Sequence, residues 1–463
     1  MSLLRREFLT GATAAPAVLR GAADPHPNIL FIMPDQWRGM DMGCMGNKQV
    51  RTPVLDRLAR EGALFTNATA NCPVCTPARG ILLTGRFPHQ NGTPVNDVPI
   101  KRDEPTIAKS LAKAGYYTGF VGKWHLHGGQ RLPGFVPPGE ARMGYEYWAA
   151  NICSHDYMHS QYFRDDPKPI PIPGYDSIAW TNCAIEFLER AQARNQPWFL
   201  SVQHTPPHDP YLYPPGHEND YKEDDIVLRK NWQAGAKRYG TKKDLAGYYS
   251  AINFLDSEVG RILKRLDELG MRDNTIVYFL SDHGDMLGSQ GTFLKRKPWE
   301  ESTLVPGIMR WPGKIAAGRK LDAVFSHIDA VPTLLGMAGV EAPGGMEGFN
   351  YANYIRGKSK ANLPESAPLM IYTKTEMNEW DCWRGVRTRR YKYARFKDKP
   401  WVLYDLQKDP FETNNLITSS EHRKLMARFD GEIETRMDRV KDSWKELEDW
   451  LPAQNNLKKK KKA

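Results

Sequence analysis

A few short clusters in this 463-residue chain carry side chains able to do covalent or ionic chemistry. The first is Cys72-Pro-Val-Cys75, followed by Thr76-Pro77-Ala78-Arg79. Two thiols at this spacing suit a redox pair, a local disulfide or half of a zinc site, although no second such pair accompanies them. Asp35-Gln36 and Asp282-His283 each follow an apolar run. A lone aspartate there is commonly a helix cap or turn residue, whereas two acid-led pairs at matching strand ends suit a divalent cation. Lys123-Trp124-His125 places two polar side chains two residues apart, so that at a strand end both face one way. On its own such a triplet is an ordinary structural or solvated feature. His208, after Thr-Pro-Pro, and Lys295 complete the set, with Lys297 competing with Lys295 for register.

These residues need elements to hold them. Residues 28–33 (NILFIM) form a continuous apolar run of strand length, as expected for a strand buried on both faces. TPVLDRLAREG predicts a helix with Thr52 as N-cap, Pro53 at the first position and Gly62 past the end. ALFTNAT predicts a strand, PTIAKSLAKAG a helix, YYTGFVG a strand, AIEFLERAQ a helix and PWFLSVQ a strand; a long helix follows around residues 245–270, then the strand NTIVYFLS. Strands alternating with helices give an α/β fold, a mostly parallel sheet sandwiched by helices, with ligands beyond the carboxyl ends of the strands. The polar clusters follow those strands. Beyond about residue 365 short aromatic-rich, period-two segments and an amphipathic helix predict a smaller α+β subdomain with a short antiparallel sheet. Residues 127–176 and 209–240 read as long irregular segments, a length that usually marks function or mobility.

The stretch Cys75-Thr76-Pro77-Ala78-Arg79, with the trailing GILLTGRFPHQNG, resembles the Cys-x-Pro-x-Arg motif of the sulfatases, within the alkaline-phosphatase-like superfamily. The resemblance extends from about residue 27 to about 416 and includes GYYTGFVGKWHL, FLSVQHTPPHDPY and SDHGDMLGSQGTFLKRKPWEE in family order. It implies that Cys75 is oxidised by a formylglycine-generating enzyme to 3-oxoalanine (formylglycine), whose hydrate is the nucleophile, and that Cys72 is a neighbour. One hydroxyl of the diol attacks sulfur and the other later expels sulfate, so that the covalent intermediate carries its own release. Arg79, at i+4 from Cys75, can reach back toward it. The resemblance also makes Lys123 an anion clamp, His125 the base for release, His208 a sulfate ligand and Lys295 the acid for the leaving oxygen. Asp35, Gln36, Asp282 and His283, with residue 75, are the implied metal ligands. The common pattern has two adjacent aspartates at the first pair and often Asp-Asn at the second. Gln36 removes a carboxylate and His283 offers nitrogen, which brings in Mn2+ or Zn2+ as alternatives, but Asp-His at the second pair also occurs in the family, so the resemblance keeps Ca2+ first.

The implied reaction is hydrolysis of sulfate monoesters, on a sulfated carbohydrate where aromatic loops can pack against sugar rings. Residues 144–163 would line that pocket, with His155 and His159 as substrate contacts or simply loop polarity. Alternatives are a phosphonate monoester or phosphodiester hydrolase of the same superfamily, and a non-catalytic glycan-binding relative whose Cys75 stays a thiol.

Much of the formal net charge of +10 sits at the two ends, above all in Lys458–Lys462, so the body shows no nucleic-acid footprint. No apolar run approaches the roughly 20 residues of a membrane-spanning helix. Arg5-Arg6-Glu7-Phe8-Leu9, a mild apolar stretch and Gly21-Ala22-Ala23 predict a twin-arginine-type signal over residues 1–23, hence an exported bacterial enzyme, periplasmic or extracellular. The expected organisation is then a catalytic domain over 27–364, the subdomain over 365–450 and a disordered Lys-rich tail over 451–463. Six cysteines are too few for a disulfide-built fold.

Overall fold

Near-continuous apolar runs build a central eight-stranded sheet in the computed structural model, which describes residues 26–129, 131–235, 238–360, 362–372 and 382–445. Its strands are β1 (Asn28–Met33), β2 (Ala63–Phe65), β3 (Tyr117–Lys123) and β4 (Tyr147–Asn151). The others are β5 (Trp198–Gln203), β6 (Thr275–Leu280), β7 (Gly307–Arg310) and β8 (Arg319–Leu321). They lie in the order β8-β2-β7-β6-β1-β5-β3-β4, and only β7 runs antiparallel to its neighbours. The expected α/β sheet is therefore present.

Helices α1 (Pro53–Glu61), α2 (Cys75–Thr84), α3 (Ile107–Lys113), α4 (Asp176–Arg194), α5 (Lys242–Glu268) and α6 (His327–Ala338) cover the sheet. Alternation along β1 divides the core. Ile29, Phe31 and Met33 join Leu82 and Leu83 of α2, Leu111 of α3 and Leu334 of α6. Leu30 and Ile32 join Leu55 of α1, Phe187 of α4 and Val259 and Ile262 of α5. Burying each such side chain contributes about 1.5–3 kcal/mol, and both faces are filled.

Three expectations need correction. Residues 127–176 are not wholly irregular, because 147–151 form the edge strand β4, paired parallel to β3. ALFTNAT is two pieces, β2 and Ala68–Thr69, and the second leaves the large sheet to pair with Phe325–Ser326. Thr52 precedes α1 but does not cap it: its hydroxyl accepts from Gly43 N at 2.8 Å and donates to Asp56 at 3.1 Å. Asp256 of α5 takes the Val54 and Leu55 N–H groups instead, each at 2.9 Å.

The C-terminal sheet is antiparallel, with β9 (Ser366–Ile371), β10 (Trp383–Thr388), β11 (Tyr391–Arg395) and β12 (Pro400–Asp405) in sequence order. One face packs Val386, Tyr393 and Leu403 against Phe429, Ile433 and Met437 of α7 (Arg423–Val440). The other packs Trp383, Ala394 and Val402 against Cys72, Val74, Ile81 and Trp299. A buried ion cluster reinforces this seam. Glu300, at the start of the one-turn helix Glu300–Thr303, accepts from Arg387 Nε at 3.0 Å and Nη2 at 2.9 Å, with Lys392 Nζ at 2.6 Å. Burial opposes its ionisation, but Arg387 and Lys392 prevail and hold the carboxyl well below its ordinary pKa. Removing one partner from such a cluster costs about 3–5 kcal/mol. Glu300→Ala is therefore expected to lower the free energy of unfolding in urea by about that amount at pH 7. The Glu300 contribution is complete above the ordinary glutamate pKa of about 4.3 and is lost as the pH falls through the depressed folded-state value. The difference between wild type and variant should accordingly shrink on acidification.

The export signal over 1–23 and the lysine tail over 451–463 lie outside the described residues. Among the described residues, no helix is long and apolar enough to cross a membrane.

Candidate active site

Cys75 is the first residue of α2 and is buried, below the carboxyl ends of β1 and β6. A helix N-terminus favours negative charge at this position. Its Sγ, here the unmodified thiol, is 3.2 Å from His283 Nε2 and 3.8 Å from Asp35 Oδ1. Asp35 follows β1, and Asp282 and His283 follow β6; parallel pairing of β1 with β6 brings the two acid-led pairs side by side. Asp35, Cys75, Asp282 and His283 each offer a donor atom, all within 4.8 Å of one another.

Arg79, one turn into α2, organises the carboxylates. Its Nη2 donates to Asp35 Oδ2 at 3.0 Å and Asp282 Oδ2 at 3.1 Å, and its Nη1 to the Lys123 carbonyl at 2.8 Å and Gln203 Oε1 at 2.5 Å. The Oδ1 atoms of both aspartates are left beside His283 Nε2, at 3.5 and 3.8 Å. Lys123 Nζ reaches Asp35 Oδ2 at 2.7 Å. Gly122 before it has φ 102°, and a Cβ there would lie 2.0 Å from the Gln203 carbonyl, so only glycine lets β3 approach β5 this closely.

The electrostatics follow from burial among fixed charges. For Cys75, burial opposes ionisation, but Lys295, Lys123 and His283 together hold the thiol well below its ordinary pKa. Burial and the Asp35 charge raise Asp282, whereas Lys123, His208 and Arg79 overcome burial and lower Asp35. Burial works against charge on His283, yet Asp282 and Cys75 raise its pKa. Cys72, in contrast, packs in the apolar seam, and burial pushes its thiol up to about 12.

Beyond Cys75 a cleft of about 130 Å³ is lined by His125, His155, His208 and Lys295 among others. His125 Nε2 meets Asp97 Oδ1 at 2.9 Å, and Arg131 clamps both Asp97 oxygens at 3.2 and 3.0 Å. Lys295 Nζ meets His208 Nε2 at 2.6 Å and donates to Gln36 Oε1. His208 Nδ1 faces the Asp209 carbonyl at 2.8 Å. His155 stacks on His208, with ring centroids 4.3 Å apart, and its Nε2 is 3.4 Å from Lys123 Nζ.

The structure thus brings Asp35, Gln36, Cys75, Arg79, Lys123, His125, His155, His208, Asp282, His283 and Lys295 to one place. Gln36 is buried beside the donors, with its carboxamide spanned between Lys295 and Asp285, whose Oδ2 accepts at 2.5 Å. Lys297 is buried and does not line the cleft. His159 is a correction: its side chain is 84% exposed and pairs with Asp156, because the 154–159 turn directs it outward. Asp97, Arg131 and Gln203 were not singled out by the sequence, since each acts through a partner 28 or more positions away.

Residues 27–340 match the sulfatase family, and residues 288–439 match the family described as N-sulphoglucosamine sulphohydrolase, C-terminal. An ulvan-active sulfatase of Formosa agariphila is 33% identical over 434 residues, spanning 93% of this chain and 84% of the relative. A solved structure from glycosaminoglycan metabolism in Bacteroides thetaiotaomicron superposes with a TM-score of 0.83 at 28% identity, covering 90% of this chain and 97% of the other. A third, in complex with its substrate D-glucosamine-2-N,6-O-disulfate, has a TM-score of 0.80 at 26% identity and covers 90% and 98% of the two chains. With the family match spanning well over half its length and carrying the cysteine, both acid-led pairs and the lysine–histidine strand end, the chain belongs to the sulfatases, enzymes that hydrolyse sulfate esters.

Proposed function

We propose that this sulfatase acts on a sulfated carbohydrate, with residue 75 working as formylglycine and a divalent cation held by Asp35, Asp282 and His283. The observation that carries this reading is the convergence of Cys75 with those three donors in one buried cluster. The cluster fits a cation, because two carboxylates lie side by side there, and burial together with the neighbouring charge of Asp35 raises the pKa of Asp282. Oxygen-rich donors suit Ca2+, while the imidazole leaves Mn2+ and Zn2+ as alternatives. The cation would polarise a sulfate oxygen, and the formylglycine hydrate would supply the attacking hydroxyl.

The chain's own residues do the rest. Lys123, held on Asp35, places positive charge beside residue 75 for the anionic ester. With Nε2–H donated to Asp97, His125 keeps its Nδ1 as the basic nitrogen, and that atom is buried without a hydrogen-bond partner. It is suited to take a proton from a hydroxyl at residue 75. Two of the three N–H bonds of Lys295 are engaged by Gln36 and His208, leaving one for the leaving oxygen. Gln36 thereby orients Lys295 in addition to lying next to the cation site.

Relatives active on ulvan, or bound to a glucosamine disulfate, support a sugar substrate. Export is proposed from Arg5-Arg6-Glu7-Phe8-Leu9, and mass analysis of the N-terminus of secreted protein would check it. The reaction is tested by steady-state kinetics on 4-nitrophenyl sulfate and an aryl phosphonate monoester. A larger kcat/KM for the sulfate is expected; the reverse order would favour phosphonate or phosphodiester hydrolysis. Asp97→Asn, which disturbs the His125 tautomer, should lower kcat by about 10–100-fold with little change in KM. It should also alter the pH profile of kcat, which a merely structural role would leave in place.

A further inference from the structure

Gln36 holds Lys295 through its carboxamide oxygen, which faces the ammonium only when the amide is turned one way. That turn is set from the opposite end. Gln36 Nε2 lies 2.5 Å from Asp285 Oδ2 and 3.3 Å from Asp209 Oδ1. Both neighbours there are carboxylates, so the nitrogen and not the oxygen must face them. The backbone of Gln36 is pinned as well. Its N–H donates to Asp282 Oδ1 at 3.0 Å, and its carbonyl accepts from Tyr248 Oη at 3.0 Å. The choice left to the side chain is which end of the amide meets Lys295.

Asp285 is the nearer of the two carboxylates. It is fully buried and does not line the cleft, so it meets no substrate. Three donors converge on it: Gln36 Nε2 and Tyr211 Oη share Oδ2, the hydroxyl at 2.6 Å, and Leu287 N donates to Oδ1 at 3.2 Å. Residue 285 must therefore accept at both ends, which an asparagine of the same shape cannot do. Tyr211 is itself locked for this contact. Its backbone is left-handed, with φ 57°, a conformation that a residue with a side chain keeps only when its surroundings enforce it. Its ring meets those of Tyr239 and Tyr248 edge-on, at 5.1 and 5.8 Å between centroids. Its carbonyl rests on Gly247 of α5, where a Cβ would lie 2.6 Å away.

We propose that Asp285, steadied by Tyr211, is a positioning residue for the leaving-group acid. By fixing the Gln36 carboxamide it presents an acceptor to Lys295 and keeps the remaining ammonium N–H directed at the leaving oxygen. This rests on the assignment of Lys295 as that acid. Without the Asp285 carboxylate the amide is free to turn its NH2 toward the ammonium, where two donors oppose each other.

The test is kcat/KM of the active full chain for aryl sulfates graded from 4-nitrophenyl to unsubstituted phenyl sulfate. The poorer the leaving group, the more its departure depends on the acid. Asp285→Asn is expected to lower kcat/KM by about 10–100-fold for phenyl sulfate and by about threefold or less for 4-nitrophenyl sulfate, steepening the dependence on the leaving group. Tyr211→Phe removes one hydroxyl and should steepen it in the same direction, by about 3–10-fold on phenyl sulfate. It decides the matter if Asp285→Asn fails to fold. An equal loss across the series, or none, overturns the inference, because a merely structural role weakens all these substrates alike. Lys295→Ala separates the two assignments and should steepen the series most. If it does so while Asp285→Asn and Tyr211→Phe do not, the positioning role alone falls. A wild-type slope in Lys295→Ala would overturn the acid assignment and this inference with it.

Discussion

Cys75→Ala is expected to lower kcat for 4-nitrophenyl sulfate by about 10⁴-fold or more, the scale seen when a covalent nucleophile is removed. Alanine offers no atom that can attack sulfur, and nothing at the α2 N-terminus replaces it. Arg79 is committed to two aspartates, a carbonyl and Gln203. The thiol of Cys153 faces His155 at 3.8 Å, and burial raises its pKa, which makes it a poor substitute. The fold should survive, since the change removes one sulfur atom at the edge of an existing cleft. Circular dichroism and the thermal midpoint of the variant are therefore expected to stay close to wild type. Activity retained within tenfold would contradict the assignment of the nucleophile.

Asp282→Asn should have the second-largest effect, and its sign in stability should depend on metal. In metal-loaded protein the variant is expected to retain little cation after gel filtration, measured by elemental analysis, with kcat reduced by about 10³-fold as for loss of a main electrostatic group. Wild type should gain about 2.7 kcal/mol when the cation is present at 100 times its Kd, and the variant should lose that gain. In metal-free protein the order should invert. Burial and Asp35 raise the pKa of Asp282, so ionising it at neutral pH costs stability that an amide does not cost. The advantage of the amide variant should be present at pH 7 and vanish as the pH falls below the ordinary aspartate value of about 3.9, where both the folded and unfolded carboxyl are protonated. A variant that binds metal as wild type does would remove Asp282 from the donor set.

The strands that carry the site were legible because burial on both faces writes an unbroken apolar run, and two acid-led pairs at matching ends of such runs are harder to explain as turn or cap residues than either one alone. That logic located Asp35 after 28–33 and Asp282 after 275–280. Edge strand 147–151 escaped it, since its aromatic and small residues sit among glycines and prolines that read as loop. Helix α1 looked locally capped by Thr52, but the donors of its first turn are met by Asp256, some 200 positions away, which no local pattern encodes. The same holds within the site. Cys75 and Arg79 share a helix turn and could be paired by spacing, whereas Asp97 meets His125 and Gln203 meets Arg79 only because separate segments fold together. His159 looked equivalent to His155 in sequence. The turn between them sends one into the cleft and the other to solvent.

The most direct test of the central claim is the mass of the tryptic peptide containing residue 75, from protein made in a host with formylglycine-generating activity. Conversion of the thiol to the aldehyde or its hydrate is the expected result, with Cys72 in the same region still a thiol. Recovery of Cys75 as a free thiol, or joined to Cys72, from a host that converts other sulfatases would contradict the proposed nucleophile.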